Sequence, residues 1–155
     1  MSNEIELLQE RVKAEFKHLQ GLKDPVTGLG LYPVFNTLPA KKDFPDYYMI
    51  ITNPVSFNTL RKRIPHYASV TEFLNDVAHI PWNAKTYNAK ESEIYRYATV
   101  MEGYLQNILL KNLQKYYPDL KYPDLGPLPE DQPNKVPTTH ASLMIETKLS
   151  SDQLP

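Results

Sequence analysis

Fourteen prolines against five glycines stand in this chain of 155 residues, and the prolines gather in two places. Proline lacks a backbone N–H and has a fixed φ, so it disfavours helix interiors and central strands alike. Regular structure is therefore expected between the clusters, where apolar residues recur at steps of three and four. Ile5, Leu8, Val12, Phe16 and Leu19 predict a first helix over 3–20. Asp24-Pro25-Val26-Thr27-Gly28-Leu29-Gly30 has the composition of a turn. From Leu31 to Pro54 no period is sustained, and Pro33, Pro39, Pro45 and Pro54 punctuate the stretch. A long irregular loop in a compact domain is usually functional or disordered. Its Tyr, Phe, Leu and Ile content predicts that this one packs, as a binding loop.

Asn53-Pro54 opens a second helix, over 55–64, which is expected to stop before Pro65. Ser69-Val70-Thr71-Glu72 reads as a capping box, with Ser at the N-cap and Glu three residues on. The third helix then carries Phe73, Val77, Ile80, Ala84 and Tyr87 on one face, with Pro81 expected to kink it. A fourth helix over 93–116 has Ile94, Ala98, Met101, Leu105, Ile108 and Leu109 as its buried stripe. Gly103 inside it costs about 1 kcal/mol relative to Ala, for which close approach of a neighbouring helix is one reason. Between Pro118 and Pro137 six residues are proline, which precludes regular helix. Tyr117, Tyr122, Leu125 and Leu128 would anchor that stretch as an extended strap, and a short helix is conceivable near Ser142 to Leu149. No alternation at period two competes. The reading is an all-α four-helix bundle over 1–117, with a proline-rich C-terminal extension over 118–155.

Composition removes several function classes. With 17 basic and 18 acidic residues, gross electrostatic binding to nucleic acid or membrane is not expected. No apolar run approaches the roughly 18–20 residues of a membrane span, and the acidic N-terminus lacks an apolar signal region. Without cysteine there is no disulfide framework, zinc-thiolate site or thiol nucleophile. Glu72, Asp76 and His79 share a helical face but read as a solvated surface, and the four histidines are scattered. Gly28-Leu29-Gly30 lacks the third glycine and the flanking strand of a dinucleotide cradle. No catalytic set, metal site or cofactor is expected. Arg61, Lys62 and Arg63, with His66 and joined by Lys41 and Lys42, form a small basic cluster suited to a weak DNA contact.

The distinctive chemistry lies in three landmarks. Pro45-Asp46-Tyr47-Tyr48 is followed by Ile51-Thr52-Asn53-Pro54, then Asn83-Ala84-Lys85-Thr86-Tyr87-Asn88, then Ser92-Glu93-Ile94-Tyr95. Tyrosines, one asparagine and small apolar residues in this order suit a pocket with greasy walls and a single amide donor. Over residues 3–117 the chain resembles the bromodomains, and within them those of chromatin remodellers. The resemblance implies a left-handed four-helix bundle whose long loop between helices 1 and 2 builds an acetyl-lysine pocket. It implies that Asn88 donates to the acetyl carbonyl and that Tyr47 holds a water reaching the same oxygen. Val34, Phe35, Leu38 and Phe44 would line the loop side, with Ile80, Ala84 and Tyr87 opposite and Ile94 at the gate. It further implies a nuclear, non-enzymatic reader of acetylated histone tails that works beside other subunits of a remodelling complex.

Duller roles are open at the same positions. Asn88 would serve as a helix cap, Tyr48 as a core tyrosine and Asn83 as a structural hydrogen-bonder. Pro81 departs from the family pattern beside Ile80, so a structural domain with a vestigial pocket is the rival reading. The strap also departs from it, because a minimal bromodomain ends with its fourth helix; the strap would either extend the bundle or block the pocket.

Overall fold

The computed structural model describes residues 2–129, and these form an all-α bundle. Helix α1 (Ser2–Gln20) buries Leu8, Val12, Phe16 and Leu19, as its period demands. Ile5 does not join them and is 43% exposed. Every residue from Asn3 to Leu7 faces solvent, so the bundle's hold on α1 begins at Leu8.

The turn after α1 closes on a buried carboxylate. Asp24 accepts from the Thr27 backbone at 3.0 Å and hydroxyl at 2.7 Å, and pairs with Arg96 at 2.6 Å. Gly28, at φ +74°, takes the left-handed position that the turn requires. The long loop contains two single helical turns, α2 (Tyr32–Phe35) and α3 (Tyr47–Ile50). Such turns are too short to carry a period, so the sequence hides them.

Helix α4 (Phe57–Arg63) begins two residues later than expected. Ser56 caps it: the Thr59 amide donates to Ser56 Oγ at 3.2 Å, and the Ser56 amide donates to Thr59 Oγ1 at 3.1 Å. That reciprocal box uses Thr where a sequence search looks for Glu or Gln. The α-helix ends before Pro65, as expected, and Ile64–His66 follows as a 3₁₀ turn. Proline fits the first turn of such a segment, where its missing N–H has no partner to lose.

Helix α5 (Val70–Tyr87) realises half of its expected box. The Glu72 amide donates to Ser69 Oγ at 3.3 Å, but the Glu72 carboxylate accepts from Ala68, one residue before the cap. The helix runs through buried Pro81 to Tyr87, and Phe73, Val77, Ile80, Ala84 and Tyr87 are all buried.

Helix α6 (Glu93–Tyr104) passes into a π-helical segment (Leu105–Leu109) and then α7 (Leu110–Gln114). The wider turn delays the return to the core, so Leu109 and Leu113 are buried while Ile108 is 48% exposed. Nothing lies within 4 Å of a Cβ built at Gly103, which removes close helix approach as its reason.

α5 packs most extensively on α6. One core joins α1, α4, α5 and the last helix, with Phe16 and Phe57 edge to face at 5.8 Å. The strap follows this core: Leu120 is buried, and Tyr117 and Tyr122 pack against it. Gln114 donates to Leu120 O at 2.9 Å and Trp82 donates to Gly126 O at 3.3 Å. The expected helix near Ser142 to Leu149 lies outside the described residues.

Candidate functional site

The C-terminus of α5 places Asn88 just outside the helix, at φ −98° and ψ 151°. One carbonyl holds it twice: Ala84 O accepts from the Asn88 backbone at 3.0 Å and from Asn88 Nδ2 at 2.9 Å. The carboxamide is therefore fixed on an oxygen of the last helical turn that also accepts the Asn88 backbone N–H. Asn88 is 0% exposed, and its Oδ1 has no hydrogen-bond partner among the described residues. Nδ2 bears two hydrogens, one of them on Ala84, so a donor and an acceptor remain. The cap role and a ligand role coexist in one side chain.

Asn88 opens onto a cavity of about 30 Å³. Val34, Phe35, Leu38, Tyr47, Ile80, Ala84 and Ile94 line it from α2, the loop, α3, α5 and the start of α6. Thr37, Pro39 and Val55 complete the wall, and no charged side chain contributes to it. Sequence reasoning missed these three. Val55 is the residue before the Ser56 cap, a position whose apolar side chain often turns inward over the helix start. Reading Thr59 as a capping partner would have exposed it.

Two residues expected in the wall stand behind it. Tyr87 is wholly buried in a cluster with Tyr47 and Ile51, and its hydroxyl donates to Asp46 Oδ1 at 3.0 Å. The Tyr47 and Tyr87 rings meet edge to face at 5.0 Å, so Tyr87 positions Tyr47 instead of lining the cavity. Phe44 is half-buried and packs between this cluster and the main core, while its carbonyl accepts from the Tyr47 amide. Burial pushes the Tyr47 hydroxyl far above the ordinary phenol range, so it stays protonated at neutral pH.

The loop is fastened by polar ties. Tyr48 donates to Pro39 O, and Asn83 donates to Asn53 O at 2.8 Å. Asn83 is the structural hydrogen-bonder that the sequence suggests, and Tyr48 is half-buried with Lys41 5.2 Å above its ring.

The basic cluster is not free for DNA as a unit. Arg61 donates to Asn58 Oδ1 and the Tyr32 hydroxyl and lies over the Phe16 and Tyr32 rings. Arg63 pairs with Asp76 at 3.1 Å, and Asp76 also accepts from the Tyr67 hydroxyl at 2.6 Å. Among the described residues, only Lys62 of the three is exposed and unpaired. Among the described residues no acidic and histidine side chains gather as a metal site, and no helix is long and apolar enough to cross a membrane.

An all-α bundle whose long loop closes over a carboxamide at the end of one helix defines a class. The chain belongs to the bromodomain family, whose model matches residues 21–100. It is 56% identical over 124 residues, 80% of its length, to chromatin structure-remodeling complex subunit RSC2 of Saccharomyces cerevisiae. It is 51% identical over 123 residues, 79% of its length, to subunit RSC1 of the same organism. Subunit rsc1 of Schizosaccharomyces pombe is 28% identical over 110 residues. The chain spans 14%, 13% and 14% of the lengths of these relatives.

Proposed function

We propose that this domain is a non-enzymatic reader of acetyl-lysine that takes acetylated histone tails into the cavity at Asn88. The observation that carries the reading is the wholly buried Asn88 carboxamide: among the described residues its Oδ1 has no partner and its Nδ2 bonds Ala84 O alone. A buried polar group without a partner costs about 1–3 kcal/mol, which a ligand amide would recover. The uncharged wall supplies selectivity. A lysine ammonium would enter with no counter-ion, at several kcal/mol, whereas acetylation removes that charge. Tyr47 lines the cavity, and its protonated hydroxyl suits the water-mediated role.

The wall residues proposed for this role are Val34, Phe35, Leu38, Ile80, Ala84 and Ile94, with Tyr87 and Phe44 as supports. Apolar burial near 25 cal/mol per Å² plus one or two amide hydrogen bonds, less association entropy, gives a dissociation constant of about 10 μM to 1 mM. The names of the relatives support work inside a nuclear chromatin-remodelling complex beside other subunits. The functional unit includes the bundle over 1–117 and the strap packed on it. The described strap residues do not line the cavity, so they support the extension role over the blocking one.

One observation favours a second reading. The cavity, at about 30 Å³, is narrow for an acetylated side chain. Beside Pro81, such narrowness fits a structural interaction domain with a vestigial pocket. An amide-resolved NMR titration with acetylated and unacetylated histone-tail peptides separates the two. Shifts around Tyr47, Ala84 and Ile94 that need the acetyl group and vanish in Asn88→Ala are the expected result. A folded wild type without such shifts across a broad panel of marks would make the vestigial reading the right one.

A further inference from the structure

A second groove, of about 340 Å³, adjoins the cavity and shares Thr37 and Leu38 with it. Ser56, Asn58, Thr59, Lys62 and Arg63 complete its lining, and no carboxylate is among them. Its hydrogen-bond inventory is biased toward donation. Asn58 Oδ1 accepts from Arg61, which leaves the Asn58 NH₂ without a protein partner. Ser56 and Thr59 share one hydrogen between their hydroxyls at 3.1 Å, so one of their two O–H hydrogens is uncommitted. Lys62 is exposed with no ion-pair partner, and Arg63 uses one Nη on Asp76, which leaves further N–H groups.

We propose that this groove binds a phosphorylated side chain on the same peptide that presents the acetyl-lysine. Phosphate carries up to two charges and three strong acceptor oxygens, which match a cluster of amide, hydroxyl and cationic donors. Because the two cavities share a wall, an extended peptide reaches from one to the other within about three residues. A DNA duplex fits less well, since Arg61 is engaged by Asn58 and Tyr32 and Arg63 is already paired, which leaves Lys62 as the free cation of the three among the described residues. The register of the two marks rests on the acetyl-lysine reading; the anion preference of the groove does not.

Fluorescence-anisotropy titrations of the full chain test this with a synthetic histone-tail peptide in four forms: unmodified, acetylated, phosphorylated and doubly modified. Phosphoserine is placed one, two or three residues to either side of the acetyl-lysine. In at least one register phosphate tightens binding of the acetylated peptide by about tenfold, and the gain shrinks as salt is raised. Lys62→Ala, at an exposed position, cancels that gain and leaves the affinity for the singly acetylated peptide unchanged. No gain in any register, or a gain that survives Lys62→Ala, overturns the proposal. Acetyl-dependent binding indifferent to phosphate removes the groove and leaves the reader. Phosphate-dependent, Lys62-dependent binding indifferent to acetyl removes the reader and leaves the groove. A short DNA duplex that binds through Lys62 while peptide phosphate adds nothing would overturn the proposal in favour of nucleic acid.

Discussion

Two proline-rich segments of this molecule lack extended regular structure, yet they serve different ends. The loop over 31–56 and the strap over 118–129 are both held by aromatic anchors and by side chains that donate to backbone carbonyls. Neighbours on one helix hold the two of them: Trp82 reaches the strap at Gly126 O, and Asn83 reaches the loop at Asn53 O. The strap lies along α5 and α6, with Ala78, Trp82, Glu102 and Gln106 facing its Tyr122, Leu125 and Leu128 across a shared groove. The loop instead arches over Asn88 and leaves a cavity with an unsatisfied amide inside. Proline thus keeps helix to single turns at most in both, and only the placement of polar groups separates a fastening from a site.

If the strap is purely a fastening, removing it changes stability and not recognition. A chain ended at residue 117 loses the burial of Leu120 and the partial burial of Tyr122 and Leu125. The expected loss is roughly 3–5 kcal/mol, a fall in melting temperature of about 10 °C or more. Acetyl-peptide affinity, measured well below the new melting point, stays within about twofold. A large loss of affinity in a folded truncated protein would mean that the strap also shapes the pocket.

The loop depends on its bolt at Asp24. Asp24→Asn removes the charge that holds Arg96 across the turn, at a cost of about 2 kcal/mol for a charge-assisted hydrogen bond. The Arg96 guanidinium holds the Asp24 carboxyl at about 2, below its ordinary 3.8. A depressed folded-state value contributes stability that is fully present above about pH 4 and is lost as pH falls toward 2. Thermal melts of wild type should therefore drop more steeply between pH 4 and 2 than those of Asp24→Asn. Parallel curves would show that this ion pair does not hold the start of the loop.

The adjacent clamps give the closest contrast. Asn83→Ala frees Asn53 O from its buried donor, with an expected loss of about 1–2 kcal/mol and a several-fold weaker acetyl-peptide affinity. Trp82→Phe removes the indole N–H from Gly126 O and part of the ring that packs beside His79, for about 1 kcal/mol, and leaves affinity unchanged. Equal effects on affinity would erase the distinction between loop and strap.

Periodicity carried most of the fold into view before any coordinates, because buried stripes such as Leu8, Val12, Phe16 and Leu19 follow directly from helical geometry. It failed where geometry departed from the α-helix. The π-helical turn moved Ile108 outward, and period alone cannot say that α1 is uncovered at Ile5. The candidate site was legible as a set of motif residues, and eight of those ten line the cavity. Tyr87 and Phe44 were misplaced because residue type cannot separate a wall from the layer supporting it. Thr37, Pro39 and Val55 were invisible because aperiodic loop residues acquire an inward direction only from caps and turns such as Ser56–Thr59.

The smallest expected effect has the opposite sign. Tyr122 packs its ring on the core from the strap, yet its hydroxyl is buried with no hydrogen-bond partner among the described residues. Burial first, and then the nearby Glu102 carboxylate, push its ionisation far above the ordinary phenol range, so the group is a neutral, unpaired O–H. Tyr122→Phe keeps the ring and deletes the orphaned group, so it should stabilise the protein by about 0.5–1 kcal/mol, read as a small rise in melting temperature. Asn88 carries the same kind of defect, but there removal should abolish ligand binding. A Tyr122→Phe protein that is less stable, or that loses acetyl-peptide affinity, would give the strap a polar role of its own. A more stable protein with unchanged affinity would leave the unsatisfied amide at Asn88 as the orphan kept for a ligand, and the one at Tyr122 as a flaw in a fastening.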